Sequence, residues 1–127
     1  MPLVRIDLAE GKPSEYTATL GAVVHAALVD TLNVPRDDRF QIITEHGPDG
    51  LSMTPTYLGV DYSADLVVIQ ITLNQGRSVE LKKAFYARVA ADLNARLGLR
   101  TEDVFINLVE VTKENWSFGK GVAQYAD

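Results

Sequence analysis

Cysteine is missing from this chain, which excludes a disulfide framework, a thiolate nucleophile and a thiolate metal site. Histidine is scarce. His25 and His46 are the only two, too few and too far apart in sequence to suggest a metal site. Positive charge is also in short supply: Lys and Arg number 12 against 17 Asp and Glu, the net charge is −5, and no basic cluster occurs. A nucleic-acid backbone or an anionic membrane surface is therefore not an expected partner. No signal peptide and no apolar run of bilayer length is present, so the expected location is the cytoplasm.

What remains is a chain of 127 residues, 46% hydrophobic, as expected for one soluble domain with one core. Its second residue is Pro2, and a strand pattern, Leu3-Val4-Arg5-Ile6-Asp7-Leu8, follows at once with no leader in front. Removal of the initiator methionine, which a small second residue permits, would make Pro2 a free secondary amine at the head of a strand. That amine is a candidate catalytic base. Alone the signal is weak, because proline makes up about 5% of average composition.

An internal repeat strengthens it. Pairing each residue with the one 65 later matches Ile6 with Ile71, Glu15 with Glu80, Ala22 with Ala87, Val24 with Val89 and Ala26 with Ala91. The ungapped register continues through Leu28 and Leu93, Leu32 and Leu97, Asp38 and Asp103, Phe40 and Phe105, and Glu45 and Glu110. Each half, 2–45 and 66–110, reads as strand, helix, strand: 2–8, 14–33 and 39–45, then 66–73, 78–97 and 104–110. Leu20, Val24, Leu28 and Leu32 form one helical stripe, and Phe85, Val89, Leu93 and Leu97 form its counterpart. Ser14 and Ser78 stand where N-caps belong and Gly98 where a helix stops.

Two such units predict an α/β (α+β) fold, a four-stranded mixed sheet with parallel pairs inside each unit and both helices on one face. Strand alternation assigns Leu3, Ile43, Val68, Ile106 and Leu108 to the other face. An apolar face with no helix left to cover it predicts a homo-oligomer. The connector 46–65 carries a Gly47-Pro48-Asp49-Gly50 turn, a break at Thr54-Pro55 and room for a short hairpin. The tail 111–127 holds Trp116-Ser117-Phe118-Gly119 and then a strand-like run, Val122 to Tyr125.

In a parallel pair both strands start at the same end of the sheet, which places Pro2 and Asp38 together. If the halves run antiparallel, the third strand finishes there too and delivers Arg77. The opposite end carries Val67, Asp103 and Lys12 at the matching positions, and no amine.

These residues resemble the tautomerase superfamily, whose members begin Met-Pro and repeat a β-α-β unit, and within it the malonate semialdehyde decarboxylase branch. The likeness rests on Pro2 to Leu8, Val34-Pro35-Arg36-Asp37-Asp38-Arg39-Phe40-Gln41-Ile42, Leu58-Gly59, Gln75-Gly76-Arg77, and Trp116-Ser117-Phe118-Gly119 with Ala123-Gln124-Tyr125. The resemblance implies that Pro2 and Asp38 are catalytic and that Arg77 binds the substrate carboxylate. It also implies a small oxo acid as substrate, no cofactor and no metal, and a trimer. Trp116 and Phe118 are assigned to the substrate pocket or to a neighbouring subunit. One departure stands out: some decarboxylases of this group carry two arginines after the third strand, whereas Leu73-Asn74-Gln75-Gly76-Arg77 has one.

Each residue also has a plainer reading. Pro2 suits an edge strand with Met1 retained, Asp38 can cap a strand entrance as its counterpart Asp103 can, and Arg77 can be a solvated cation. His25 flanks the apolar stripe, and His46 lies in a loop. Three functions are consistent with the residues: a cofactor-free decarboxylase of a 3-oxo acid, a keto-enol tautomerase of a 2-oxo acid, and a non-catalytic oligomeric binding protein. An α-amino group titrates at about 7.7–8.0 when unperturbed, so Pro2 can act as a neutral base or as a cation at an enolate oxygen. It can also form an iminium with an aldehyde.

Overall fold

In the computed structural model, which describes residues 1–126, β1 (Pro2–Ala9) buries Pro2, Val4, Ile6 and Leu8 and leaves Leu3, Arg5, Asp7 and Ala9 more exposed. That period of two is the mark of a half-buried strand. The helix α1 (Ser14–Leu32) and the strand β2 (Gln41–His46) complete the first unit. A two-residue-arm hairpin, β3 (Thr56–Tyr57) and β4 (Val60–Asp61), occupies the connector. The second unit is β5 (Val67–Asn74), α2 (Val79–Leu97) and β6 (Val104–Val111), and β5 repeats the burial alternation of β1 residue for residue. No helix among the described residues is long and apolar enough to cross a membrane.

The sheet order is β2-β1-β5-β6, with parallel outer pairs and an antiparallel β1–β5 pair at the centre. Both helices pack on one face. The expected stripes Leu20, Val24, Leu28, Leu32 and Phe85, Val89, Leu93 are buried against Ile6, Ile69 and Ile71, and Leu97 packs at the margin. Each such side chain stabilises the fold by roughly 1.5–3 kcal/mol on burial. Truncating Phe85, which is 0% exposed, would cost about 3–5 kcal/mol.

The helix ends follow local rules with one exception. Both helices stop at a left-handed residue, Asn33 (φ 62°) and Gly98 (φ 67°), whose N–H groups bond back to Leu28 and Asn94 carbonyls. Ser78 caps α2, its Oγ accepting from the Leu81 N–H at 3.2 Å. Ser14 does not cap α1. Pro13 holds the cap position and Ser14 is already helical, because the proline ring fixes φ at −66° with an extended ψ just ahead of the first turn.

The open face of the sheet also differs from the expectation. Register pairs Ile6 with Ile43, Ile69 with Ile106 and Ile71 with Leu108, so Ile43, Ile106 and Leu108 join the helix-side core. Alternation along one strand leaves its absolute phase undetermined; pairing to a neighbour of known phase determines it. The open face carries Leu3 and Val68 as expected, with Ile42, Phe105 and Val109 and a polar band that includes Arg5, Thr44, Gln70 and Asn107.

In the tail, Val122 to Tyr125 is not a strand. Gly119, Lys120 and Gly121 all adopt left-handed φ, which curls the chain back on itself. The Phe118 N–H donates to Gln124 Oε1, and Gln124 Nε2 donates to the Gly119 carbonyl.

Candidate active site

One end of the sheet gathers four sequence-distant segments. Pro2 pairs with Leu73, Val4 N–H bonds to the Phe40 carbonyl at the entrance of β2, and Asn74 pairs with Val111 at the end of β6. The start of the chain, residues 38–40, residues 74–77 and the tail after residue 111 must therefore meet. Pro2 is buried here, and the Met1 side chain ahead of it is 6% exposed.

Asp38 arrives on the loop between α1 and β2. A turn closed by its own N–H on the Pro35 carbonyl (3.0 Å) sets its backbone. Its Oδ2 lies 3.9 Å from the Met1 amine, and its Oδ1 is buried with no hydrogen-bond partner. A buried carboxylate oxygen without a donor is costly, and in a native fold such an atom marks a place where a donor belongs.

Burial holds the chain-terminal amine below its ordinary value of 8.0. Asp38 opposes that shift, and the Arg77 and Lys113 cations add to it. Arg77 is positioned by the turn at Gly76 (φ 125°). Its Nε and Nη2 donate to the Leu32 carbonyl at the end of α1 (3.3 and 3.2 Å), and Nη1 donates to the Asn74 carbonyl (3.1 Å). These bonds hold the guanidinium in place and occupy three of its five N–H groups, which leaves two for an anion.

Aromatic side chains wall the space around Met1. Cavities of about 510 and 250 Å³ both include Met1, Phe40 and Phe118 in their lining; the larger adds Asp38 and Tyr125, the smaller Leu3 and Trp116. Trp116 Nε1 donates to Asn74 Oδ1 at 2.8 Å, which ties the tail to β5. Trp116 then stacks on Phe118 (5.5 Å between centroids), and Phe118 meets Tyr125 edge-on at 5.0 Å.

The structure thus brings Asp38, Trp116 and Phe118 around Met1, with Pro2 and Arg77 at the same end of the sheet but outside the lining of those two cavities. Phe40 and Tyr125, which lie in the stretches quoted above, also reach this place, as does Lys113, which the sequence pattern does not single out. A signal for Lys113 exists: once β6 is registered on β5, residue 113 follows two places after the partner of Asn74. Neither histidine enters. His46 Nε2 binds Asp7 Oδ1 (2.6 Å) at the other end of the sheet, and His25 lies 9% exposed in the core. A cavity of about 520 Å³ at that other end is lined by His46, Glu10 and Leu66, with no chain terminus in it.

Comparison with known proteins bears on this arrangement. Two family models, both described as tautomerase enzymes, match residues 38–119 and 2–61. The probable tautomerase YusQ of Bacillus subtilis is 40% identical over 124 residues, covering 98% of each chain. The solved structure of FG41 malonate semialdehyde decarboxylase, inhibited by 3-bromopropiolate, is 38% identical, covers 97% of this chain and 93% of that one, and superposes with a TM-score of 0.88. A fused 4-OT, described as a symmetric trimer, shares the fold at 22% identity and a TM-score of 0.77 over 98% of each chain. The strand order, the duplicated β-α-β unit and the extent of these matches place the chain in the tautomerase superfamily of enzymes.

Proposed function

We propose that this protein uses the secondary amine of Pro2, freed by loss of Met1, to decarboxylate a small 3-oxo acid of the malonate semialdehyde type. The observation that carries the reading is the buried, unbonded Oδ1 of Asp38 beside the chain-terminal amine. With Met1 removed, the free amine is that of Pro2, one residue on from the amine that lies 3.9 Å from Asp38 Oδ2, and Asp38 holds it as a cation. Arg77 positions the substrate carboxylate through its two remaining N–H groups. The bond from that carboxylate to the α-carbon breaks, CO₂ leaves, and the electron pair becomes an enolate whose oxygen accepts a hydrogen bond from the Pro2 ammonium. The Pro2 ammonium then gives its proton to the α-carbon to form the aldehyde, and the amine is reprotonated from water. Phe40, Trp116 and Phe118 line the space beside the amine with apolar surface.

A second reading, keto-enol tautomerisation of a 2-oxo acid, has its own support. Burial and the Arg77 and Lys113 cations lower the proton affinity of the Met1 amine, and an amine one residue on, at Pro2, would meet the same surroundings and favour the neutral base that proton abstraction needs. The name of the YusQ relative agrees. The half-exposed apolar residues of the open sheet face, Ile42, Phe105 and Val109, together with the trimeric fused 4-OT, support assembly as a homotrimer.

Two experiments test the function. Mass spectrometry of protein from its native host is expected to find chains beginning at Pro2; Met1 on essentially every chain overturns both readings. Incubation with malonate semialdehyde, phenylpyruvate and 2-hydroxymuconate, read for CO₂ release or ketonisation, separates decarboxylase from tautomerase.

A further inference from the structure

His25 is a buried titratable side chain that the chemistry above leaves unused. It lies on the core side of α1, 9% exposed, with Nε2 2.7 Å from the carbonyl oxygen of Arg36. A carbonyl only accepts, so the ring must present a proton on Nε2. Arg36 is two residues before Asp38, in the loop between α1 and β2. That loop is pinned at its ends by backbone bonds, Val34 N–H to the Leu28 carbonyl and Val4 N–H to the Phe40 carbonyl, and it turns on the Asp38 N–H to Pro35 carbonyl bond. Between those points the His25 bond is the side-chain tether from the core to the loop backbone.

The tether matters because of what Asp38 lacks. Its Oδ1 has no donor, and its Oδ2 has only the amine at 3.9 Å. Nothing in its own carboxylate holds it, so its position is inherited from the loop backbone. From this we infer that His25 is a positioning residue: its Nε2–H fixes the Arg36 carbonyl and thereby sets the distance and direction from the Asp38 carboxylate to the amine at the chain terminus.

The inference rests on the reading of Asp38 given above, and its test separates the two. In the unsubstituted protein, imidazole ¹⁵N spectra are expected to show the proton on Nε2; a ring protonated on Nδ1 alone overturns the proposal. In protein lacking Met1, the ¹⁵N resonance of Pro2 is titrated without substrate. A carboxylate beside an amine favours its charged form, so Asp38→Asn is expected to lower the titration midpoint. His25→Leu, which keeps bulk and removes the donor, is expected to move it the same way and by less. His25→Gln, which returns an N–H at similar reach, is expected to restore it. A His25→Leu midpoint equal to wild type, or His25→Gln shifted as far as His25→Leu, overturns the proposal. In turnover, His25→Leu is expected to lower kcat about tenfold with KM nearly unchanged, from misplacement of one group. If Asp38→Asn turned over like wild type, the catalytic reading of Asp38 would fail, while the amine titrations would still decide the role of His25.

Discussion

The two ends of the sheet are the same place built twice. At each, a strand begins, an aspartate precedes the neighbouring parallel strand, and a basic residue follows the antiparallel one: Pro2, Asp38 and Arg77 at one end, Val67, Asp103 and Lys12 at the other. Their carboxylates have different fates. Asp103 is 0% exposed; it accepts from the Ser63 N–H at 2.8 Å, from the Ser63 hydroxyl, and from Arg100 at 3.4 Å. Asp38 has an oxygen with no partner. Lys12 is spent on Asp65 at 2.9 Å, whereas Arg77 is steadied by the Leu32 and Asn74 carbonyls. Duplication supplies position, then, and satisfaction decides use. A fully bonded carboxylate is part of the frame, and an unsatisfied one at the same place is available to a ligand.

The largest expected effect that could break this contrast is at the amine. Pro2→Ala replaces a constrained secondary amine with a primary one, and steady-state turnover should fall by at least about 10²-fold. Wild-type rates on every active substrate would sink the proline mechanism. Next comes a crossed pair. Asp38→Asn should remove most turnover and leave thermal stability within about 0.5 kcal/mol, since no bond to Oδ1 is lost. Asp103→Asn should do the reverse, costing about 2 kcal/mol and roughly 5 °C or more in Tm by turning an amide donor onto Ser63 or Arg100, with kcat nearly unchanged in the folded fraction. If both substitutions lowered Tm equally, the two ends would not differ in the way described. Ser63→Ala sharpens the comparison on a smaller scale: loss of the hydroxyl alone should cost about 1 kcal/mol in denaturant unfolding.

The smallest effect concerns pH. In a chain that keeps Met1, the amine binds its proton less readily folded than unfolded, so between its lowered value and 8.0 the unfolded state carries more protons. Stability should rise slightly with pH through that window and level off above it, and an N-acetylated chain should lack the rise. A slope of the opposite sign would mean that Asp38, rather than burial, dominates the amine.

Much of this architecture is legible in the amino-acid sequence. The period-2 and period-3.6 patterns and the 65-residue repeat locate both β-α-β units to within two residues, because burial of one face imposes its spacing on the sequence. The convergence of Pro2, Asp38 and Arg77 follows from strand direction: parallel within each half, antiparallel between them. Less is legible where identity depends on a neighbour's register. Ile43, Ile106 and Leu108 go to the wrong face on alternation alone, which has a period but no absolute phase. Lys113 escapes notice because its approach depends on where β6 ends against β5, and the strand-like letters of Val122 to Tyr125 are overruled by three left-handed residues just upstream.

By itself, then, the sequence determined the repeat, the elements, the end of the sheet that holds the amine and the superfamily, since each is written in local spacing and residue type. Only the tertiary structure decided which of two equivalent aspartates is satisfied. Hydrogen-bond satisfaction depends on donors brought from far along the chain: Ser63 reaches Asp103 across 40 residues, and for Asp38 Oδ1 no such donor arrives.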